Sequence, residues 1–186
     1  MDVSKGGDYV TVSWCKFLYA PLPAGVVIHE FVHLIGSSDT DSGVNFHVTL
    51  HHNWYGDYCR ERMPSVRFGR VHVFNCYYNC TGNNYCIRTR IDAEVLAENN
   101  YFIGVQNPWE RFVTSGSPGL LHASGNITNN CPFVNGWTAG AVVIPGTDTL
   151  GAEMNPPLYT YPLDAAAYVP YYVTTFAGSG KFPYVP

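Results

Sequence analysis

The sequence predicts an all-β chain wound as a right-handed parallel β-helix, a solenoid, with an irregular, proline-rich C-terminal arm. Three observations carry that prediction. The 186 residues include 14 Tyr, 10 Phe, 18 Gly and 13 Pro, and no segment sustains the apolar period of an amphipathic helix. Five segments align without a gap: VTVSWCKF (10–17), VTLHHNWY (48–55), VHVFNCYY (71–78), VLAENNYF (95–102) and LHASGNIT (121–128). Their sixth column reads Cys15, Asn53, Cys76, Asn100, Asn126, where an amide can pair with the amide one rung away, as in stacked ladders.

The elements follow in order. The aligned segments start 38, 23, 24 and 26 residues apart, and a repeat of that size holding one strand is the mark of a solenoid whose strands stack at ~4.8 Å. Within each segment the first, third and eighth columns are apolar or aromatic in nearly every copy, which places them in the core at strand period two. A β-sandwich would show turn signals at shorter intervals and no register between columns. The coils are read over residues 1–145. From Gly146 the repeat is lost and prolines recur, so 146–186 reads as an arm laid over the coils, since proline cannot serve a central strand.

With 46% hydrophobic and 13% charged residues, the chain suits one compact domain rather than disorder. No run approaches the length of a membrane span, and neither a membrane nor nucleic acid is expected as a partner. The net charge is −4, yet six of the ten basic residues, Arg60, Arg62, Arg67, Arg70, Arg88 and Arg90, fall between 60 and 90, where Glu61 is the only acid. A cationic groove of that kind fits a polyanion.

Six cysteines beside few lysines point to an oxidising compartment, while MDVSKGGDYV carries no apolar leader. Cys15 and Cys76 lie two rungs apart, ~10 Å by strand spacing, too far for a disulfide. Cys59, Cys80 and Cys86 fall in loops of adjacent coils, where two of them are placed to bridge; which two is open. The pairs His29/His33 and His51/His52 read as packed rings rather than zinc ligands, because neighbours on a strand face opposite sides. Asp39 and Asp41 in SSDTDSG read as turn-capping acids.

The motif R-x-P-x-x-R-F-G-x-x-H-x-x-N stands at Arg62, Pro64, Arg67, Phe68, Gly69, His72 and Asn75. Together with DYVTVSW (8–14), LIGSSDTDSG (34–43), VTLHHNWY and ENNYF (98–102), it resembles polysaccharide lyase family 1, the pectate lyases, over roughly residues 1–175. The resemblance implies a secreted enzyme, monomeric at full length, that cleaves polygalacturonate by calcium-dependent β-elimination to unsaturated oligogalacturonides. It casts Arg62 as the base at C5 and Arg67 as a substrate contact, and the charge map adds Arg60, Arg88 and Arg90 to the binding groove.

Two departures stand out. Asp2 aligns with the last aspartate of the family's D-G-x-x-D calcium element. Everything before it is absent, and one carboxylate is not a calcium site. The chain is therefore expected to be N-terminally truncated, with an incomplete Ca2+ site at Asp2. In HEFVHLIG, Phe31 stands where the family has a lysine. A noncatalytic polygalacturonate-binding fragment is the leading rival. A hydrolase on the same fold needs paired carboxylates flanking the bond, which no strand of the repeat supplies.

Overall fold

The structure, a computed structural model, describes residues 1–26, 29–41, 46–113, 116–136, 138–154 and 157–181. Residues 42 and 43 of SSDTDSG, and 155, 156 and 182–186 of the arm, lie outside the described residues. The chain forms a parallel β-helix of three stacked sheets. The first contains β1 (Asp2–Val3), β4 (Leu34–Ile35), β7 (Ser65–Val66), β10 (Ile87–Thr89), β13 (Trp109–Phe112) and β16 (Ala141–Val142). The second contains β2 (Val10–Ser13), β5 (Phe46–His51), β8 (Gly69–Phe74), β11 (Glu94–Glu98) and β14 (Leu120–Ser124). The third contains β3 (Lys16–Phe17), β6 (Trp54–Tyr55), β9 (Tyr77–Tyr78), β12 (Tyr101–Ile103) and β15 (Ile127–Asn129). Within these sheets every strand pair is parallel except β13 with β16.

The register matches the aligned columns residue by residue: Val10 pairs with Val48, Val48 with Val71, Val71 with Val95 and Val95 with Leu121. Their side chains fill one interior together with Leu50, Val73 and Ala97, because alternate residues of a strand point the same way. The eighth column becomes a run of stacked rings inside the coil, Phe17 on Tyr55 (5.5 Å), Tyr55 on Tyr78 (4.7 Å) and Tyr78 on Phe102 (4.4 Å). Such pairs add about 0.5–1.5 kcal/mol each beyond buried area.

Each eight-residue segment is not one strand but two, in different sheets. The residue before the ladder position takes a positive φ, at Trp14 (55°), His52 (53°), Asn75 (50°), Asn99 (47°) and Gly125 (64°), and that left-handed corner swings the chain from the second sheet into the third. The ladder serves the corner. Asn53 Oδ1 accepts from the Cys15 backbone N–H (3.0 Å), Asn100 Oδ1 from Cys76 (2.9 Å) and Asn126 Oδ1 from Asn100 (2.9 Å). The amide nitrogens donate to Val12, Val73 and Ala97 carbonyls. Amide-to-amide contact occurs once, Asn100 Nδ2 to Asn126 Oδ1 (2.9 Å); otherwise the side chains mend backbone groups that the bend orphans.

The same corner overturns the geometry expected for His51 and His52. Because His52 sits at the bend, its ring does not leave on the opposite face, and the two Nδ1 atoms lie 2.9 Å apart. Both remain packed rings, His51 on Phe74 and His52 on Trp14. The expected disulfide is absent: all six cysteines are free thiols. Cys59 donates to the Phe17 carbonyl (3.4 Å), Cys80 contacts Met63 Sδ (3.7 Å) and Cys86 accepts from Asn83 (3.5 Å). Burial pushes the Cys59 and Cys76 thiols up to about 12, so these sulfurs stay protonated packing groups.

The arm is more ordered than proline content predicts. It adds an antiparallel bridge from Thr147 to His122 and a helix α1 (Val169–Phe176) with Pro170 in its first turn, where a missing N–H costs nothing. Val169 and Val173 of this helix, and Ala177 after it, pack against Trp14, Trp54, Tyr77 and Tyr101. Between these elements the arm docks on the outer face of the second sheet. Tyr161 donates to Glu98 (2.6 Å), Asp164 meets His52 (2.9 Å), and Asn75 exchanges two bonds with the Asp164 backbone (2.8 and 3.0 Å). Two of the seven motif residues, Asn75 and also His72, which meets the Tyr159 hydroxyl (2.6 Å), thus face the arm and not the arginines.

Candidate active site

In the first sheet, Asp2, Leu34, Ser65, Arg88 and Glu110 occupy one row on successive rungs. Val3, Ile35 and Val66 of the alternate row belong to the core, so the Asp2–Glu110 row is the outward one. Arg62 stands three residues before Ser65 and Arg67 directly after Val66, on opposite ends of the short strand β7. Arg90 follows Thr89, whose partner is Val66, so Arg67 and Arg90 stack in register on adjacent rungs.

The arginines share one neighbourhood but not one fate. Arg60 donates from Nε to Glu30 (2.8 Å). Arg67 donates from Nε to Asp39 (2.5 Å), and Arg90 Nη2 reaches the same oxygen at 3.6 Å. Arg88 lies 2.5 Å from Glu110, with side-chain exposures of 7% and 1%, and its guanidinium is held 3.6 Å over the Tyr85 ring and 4.9 Å from Phe112. Arg70 and Arg111 pair with Glu94 and Asp148. Among the described residues, Arg62 alone of the seven arginines has no carboxylate within ion-pair reach. It holds a positive φ (62°), as do the corner residues of the coil, and its guanidinium lies over Phe31 at 4.3 Å. Phe31, in the family's lysine position, is a flat seat for the arginine.

The charges feel one another. Burial first and then Arg67 press the Arg90 pKa down to about 10, with Asp39 opposing. Burial pushes the Tyr85 hydroxyl up to about 12 against the pull of Arg88 and Arg62. Tyr85 therefore lies against Arg88 and within electrostatic reach of Arg62, a role that nothing in its sequence surroundings announces. Glu110 was equally hidden, lying 22 residues from Arg88 in sequence and one rung away in space.

A sequence profile of pectate lyases matches residues 1–182. The chain belongs to the pectate lyase family. It is 34% identical over 186 residues to the pectate trisaccharide-lyase of Bacillus licheniformis, covering 97% of this chain and 46% of that protein. The pectate lyase of Bacillus sp. N165, solved in complex with trigalacturonate, superposes with a TM-score of 0.70 at 24% identity over 97% of this chain and 52% of that one. Pectate lyase C from Erwinia chrysanthemi, solved with Ca2+, gives 0.67 at 23% identity, over 96% and 49%. The chain spans about half the length of the curated relatives it matches.

The donor set for calcium is short. Asp2 Oδ1 already accepts the Leu34 backbone N–H (2.9 Å), and among the described residues no three His, Cys, Asp or Glu side chains gather to hold a metal. A calcium ion wants six to eight oxygens, so these residues do not make its site, and nothing below is routed through one.

Behind the site, His33 is packed against Phe17 and Tyr55, and burial drives its pKa down to about 3. His51, buried beside His52 and His72, falls to about 4. Both are neutral in the fold and charge near 6.5 once unfolded, so their contribution is complete above pH 6.5 and is lost as pH falls toward those lowered values. His33 alone is expected to remove about 2 kcal/mol by pH 5. The urea midpoint at pH 5 should lie well below that at pH 8, and His33→Gln should flatten the difference. Equal midpoints at the two pH values would contradict the assignment.

Proposed function

We propose that this chain carries the arginine side of a lyase site acting on polygalacturonate, with Arg62 as the base that takes the C5 proton. The observation that carries the reading, in a chain of this family, is that among the described residues Arg62 alone is left without a carboxylate while the other six arginines are paired. A guanidinium is almost never deprotonated in a protein. Here, among the described residues, it has no carboxylate within ion-pair reach, and the Phe31 ring under it at 4.3 Å leaves its edge open to a substrate proton. Removal of the C5 proton expels the glycosidic oxygen from C4, which leaves a C4–C5 double bond on one fragment and, after protonation, a free hydroxyl on the other. Arg67 and Arg90 hold a uronate carboxylate. Arg60 and Arg88, each engaged by a glutamate, contribute field rather than a spare donor.

The substrate is an acidic wall polysaccharide outside the cell, which makes this an extracellular activity. The test is to incubate polygalacturonate with the longest natural polypeptide containing this chain and follow ultraviolet absorbance of the unsaturated uronate. Growth of that absorbance is expected. New reducing ends without absorbance would replace elimination by hydrolysis. The short calcium donor set favours a second reading, a uronate-binding coil without turnover. That reading predicts trigalacturonate binding and no absorbance.

A further inference from the structure

Arg67 and Arg90 form a two-guanidinium cradle in which, among the described residues, Asp39 is the one carboxylate within ion-pair reach, and the fit is uneven. One Asp39 oxygen takes the Arg67 Nε at 2.5 Å and reaches Arg90 Nη2 at 3.6 Å. The buried Arg90 Nε has no hydrogen-bond partner among the described residues. Arg67 Nη1 is steadied by the Gly36 carbonyl (3.3 Å). At Gly36, with φ +78°, an added Cβ would stand 2.6 Å from the Arg67 carbonyl oxygen, so the loop and the cradle are pressed together by design of the backbone. A planar carboxylate set squarely across the two forks would satisfy both better than Asp39 does.

Asp39 is also free to leave. Its side chain is 42% exposed while those of Arg67 and Arg90 are 10% and 17% exposed. The loop that bears it is shaped by other bonds, Asp41 accepting from the Ser37 N–H (2.6 Å) and hydroxyl (2.5 Å) and Ser38 meeting Thr40 (3.0 Å). Two like charges one rung apart, Arg67 buried and Arg90 half-buried, need an anion nearby, and a residue that supplies one without being built into the loop can give way to another.

Resting on the reading of a uronate-binding site, we propose that Asp39 is an internal stand-in for substrate carboxylate: it occupies the Arg67–Arg90 cradle in the free protein and is displaced when a uronate enters. Asp39 then sets the threshold for binding. Weak or neutral ligands do not dislodge it, and a carboxylate able to use both guanidinia does.

The experiment measures binding of trigalacturonate and of glutarate, a simple dicarboxylate, to the full chain by calorimetry, for the parent, Asp39→Asn and Asp39→Asn/Arg90→Lys. Asp39→Asn leaves the Ser37–Asp41 loop bonds in place. An exposed competitor of this kind is worth little, so its removal is expected to tighten trigalacturonate by about fivefold, and Arg90→Lys should erase the gain. Equal or weaker binding by Asp39→Asn, with trigalacturonate bound by the parent, overturns the stand-in and leaves the pectate reading intact. If no form binds trigalacturonate while Asp39→Asn gains affinity for glutarate, the cradle stands and the pectate reading falls. If neither ligand responds to Asp39→Asn, the proposal is wrong.

Discussion

Arg62→Lys is expected to lower polygalacturonate turnover by about a thousandfold, within the range assigned to a positioned base, while trigalacturonate binding changes by less than about threefold, since the cradle that grips the carboxylate is untouched. Lysine keeps the charge, and its amine loses a proton more readily than a guanidinium does. What it lacks is the shape. The Arg62 guanidinium lies over the Phe31 ring at 4.3 Å, and a planar group on a flat seat is fixed in both tilt and reach. An ammonium on a flexible stem is a point charge that the ring does not orient, and a misplacement of about 1 Å at the reacting atoms can cost a hundredfold. Arg67→Lys should divide its effect differently, weakening trigalacturonate binding by about tenfold because the fork that meets the carboxylate is lost. Absorbance of the unsaturated product and calorimetry on the same preparations separate the two. Turnover by Arg62→Lys within about tenfold of the parent would remove Arg62 from the base role.

The fold was legible because a solenoid writes its register into the sequence. Val10, Val48, Val71, Val95 and Leu121 can be aligned by eye since each must bury the same face, and the rings from Phe17 to Phe102 follow from them. The corner was not legible in two of its five copies. Asn75, Asn99 and Gly125 are residue types that accept a positive φ, but Trp14 and His52 hold 55° and 53° with no local sign of it. That bend alone brings the two histidine rings together. In SSDTDSG the turn-capping reading fits Asp41, which binds Ser37, and misses Asp39, which binds Arg67. Nothing within the segment separates them, because the partner lies 28 residues on. Helix α1 was obscured because the recurring prolines of the arm were read as marks of irregular backbone, whereas Pro170 occupies the one helical turn that tolerates it.

The second large effect concerns Arg88, where charge counting and burial point in different directions. A run of arginines says nothing about which of them the next rung will neutralise, and here Glu110 lies beside Arg88 in register, 2.5 Å away and 1% exposed. Glu110→Leu takes that carboxylate from a guanidinium with 7% exposure and is expected to cost about 3–5 kcal/mol, as when one partner of a buried pair is removed. Arg88→Met should cost about as much, because it strands the carboxylate instead. Replacing both together should cost far less than the sum, since apolar side chains of similar volume fill the space between Tyr85 and Phe112 without desolvating a charge. Urea unfolding of the four proteins completes the cycle. A coupling energy near zero would show that the pair does not hold this rung. Arg88 would then return to the groove as a substrate contact, visible as weaker trigalacturonate binding by Arg88→Met at unchanged stability. With the coupling as expected, Arg88 acts on the site from beneath: it is held against Tyr85 and Phe112, and Phe112 is also the ring under Arg90 at 4.7 Å.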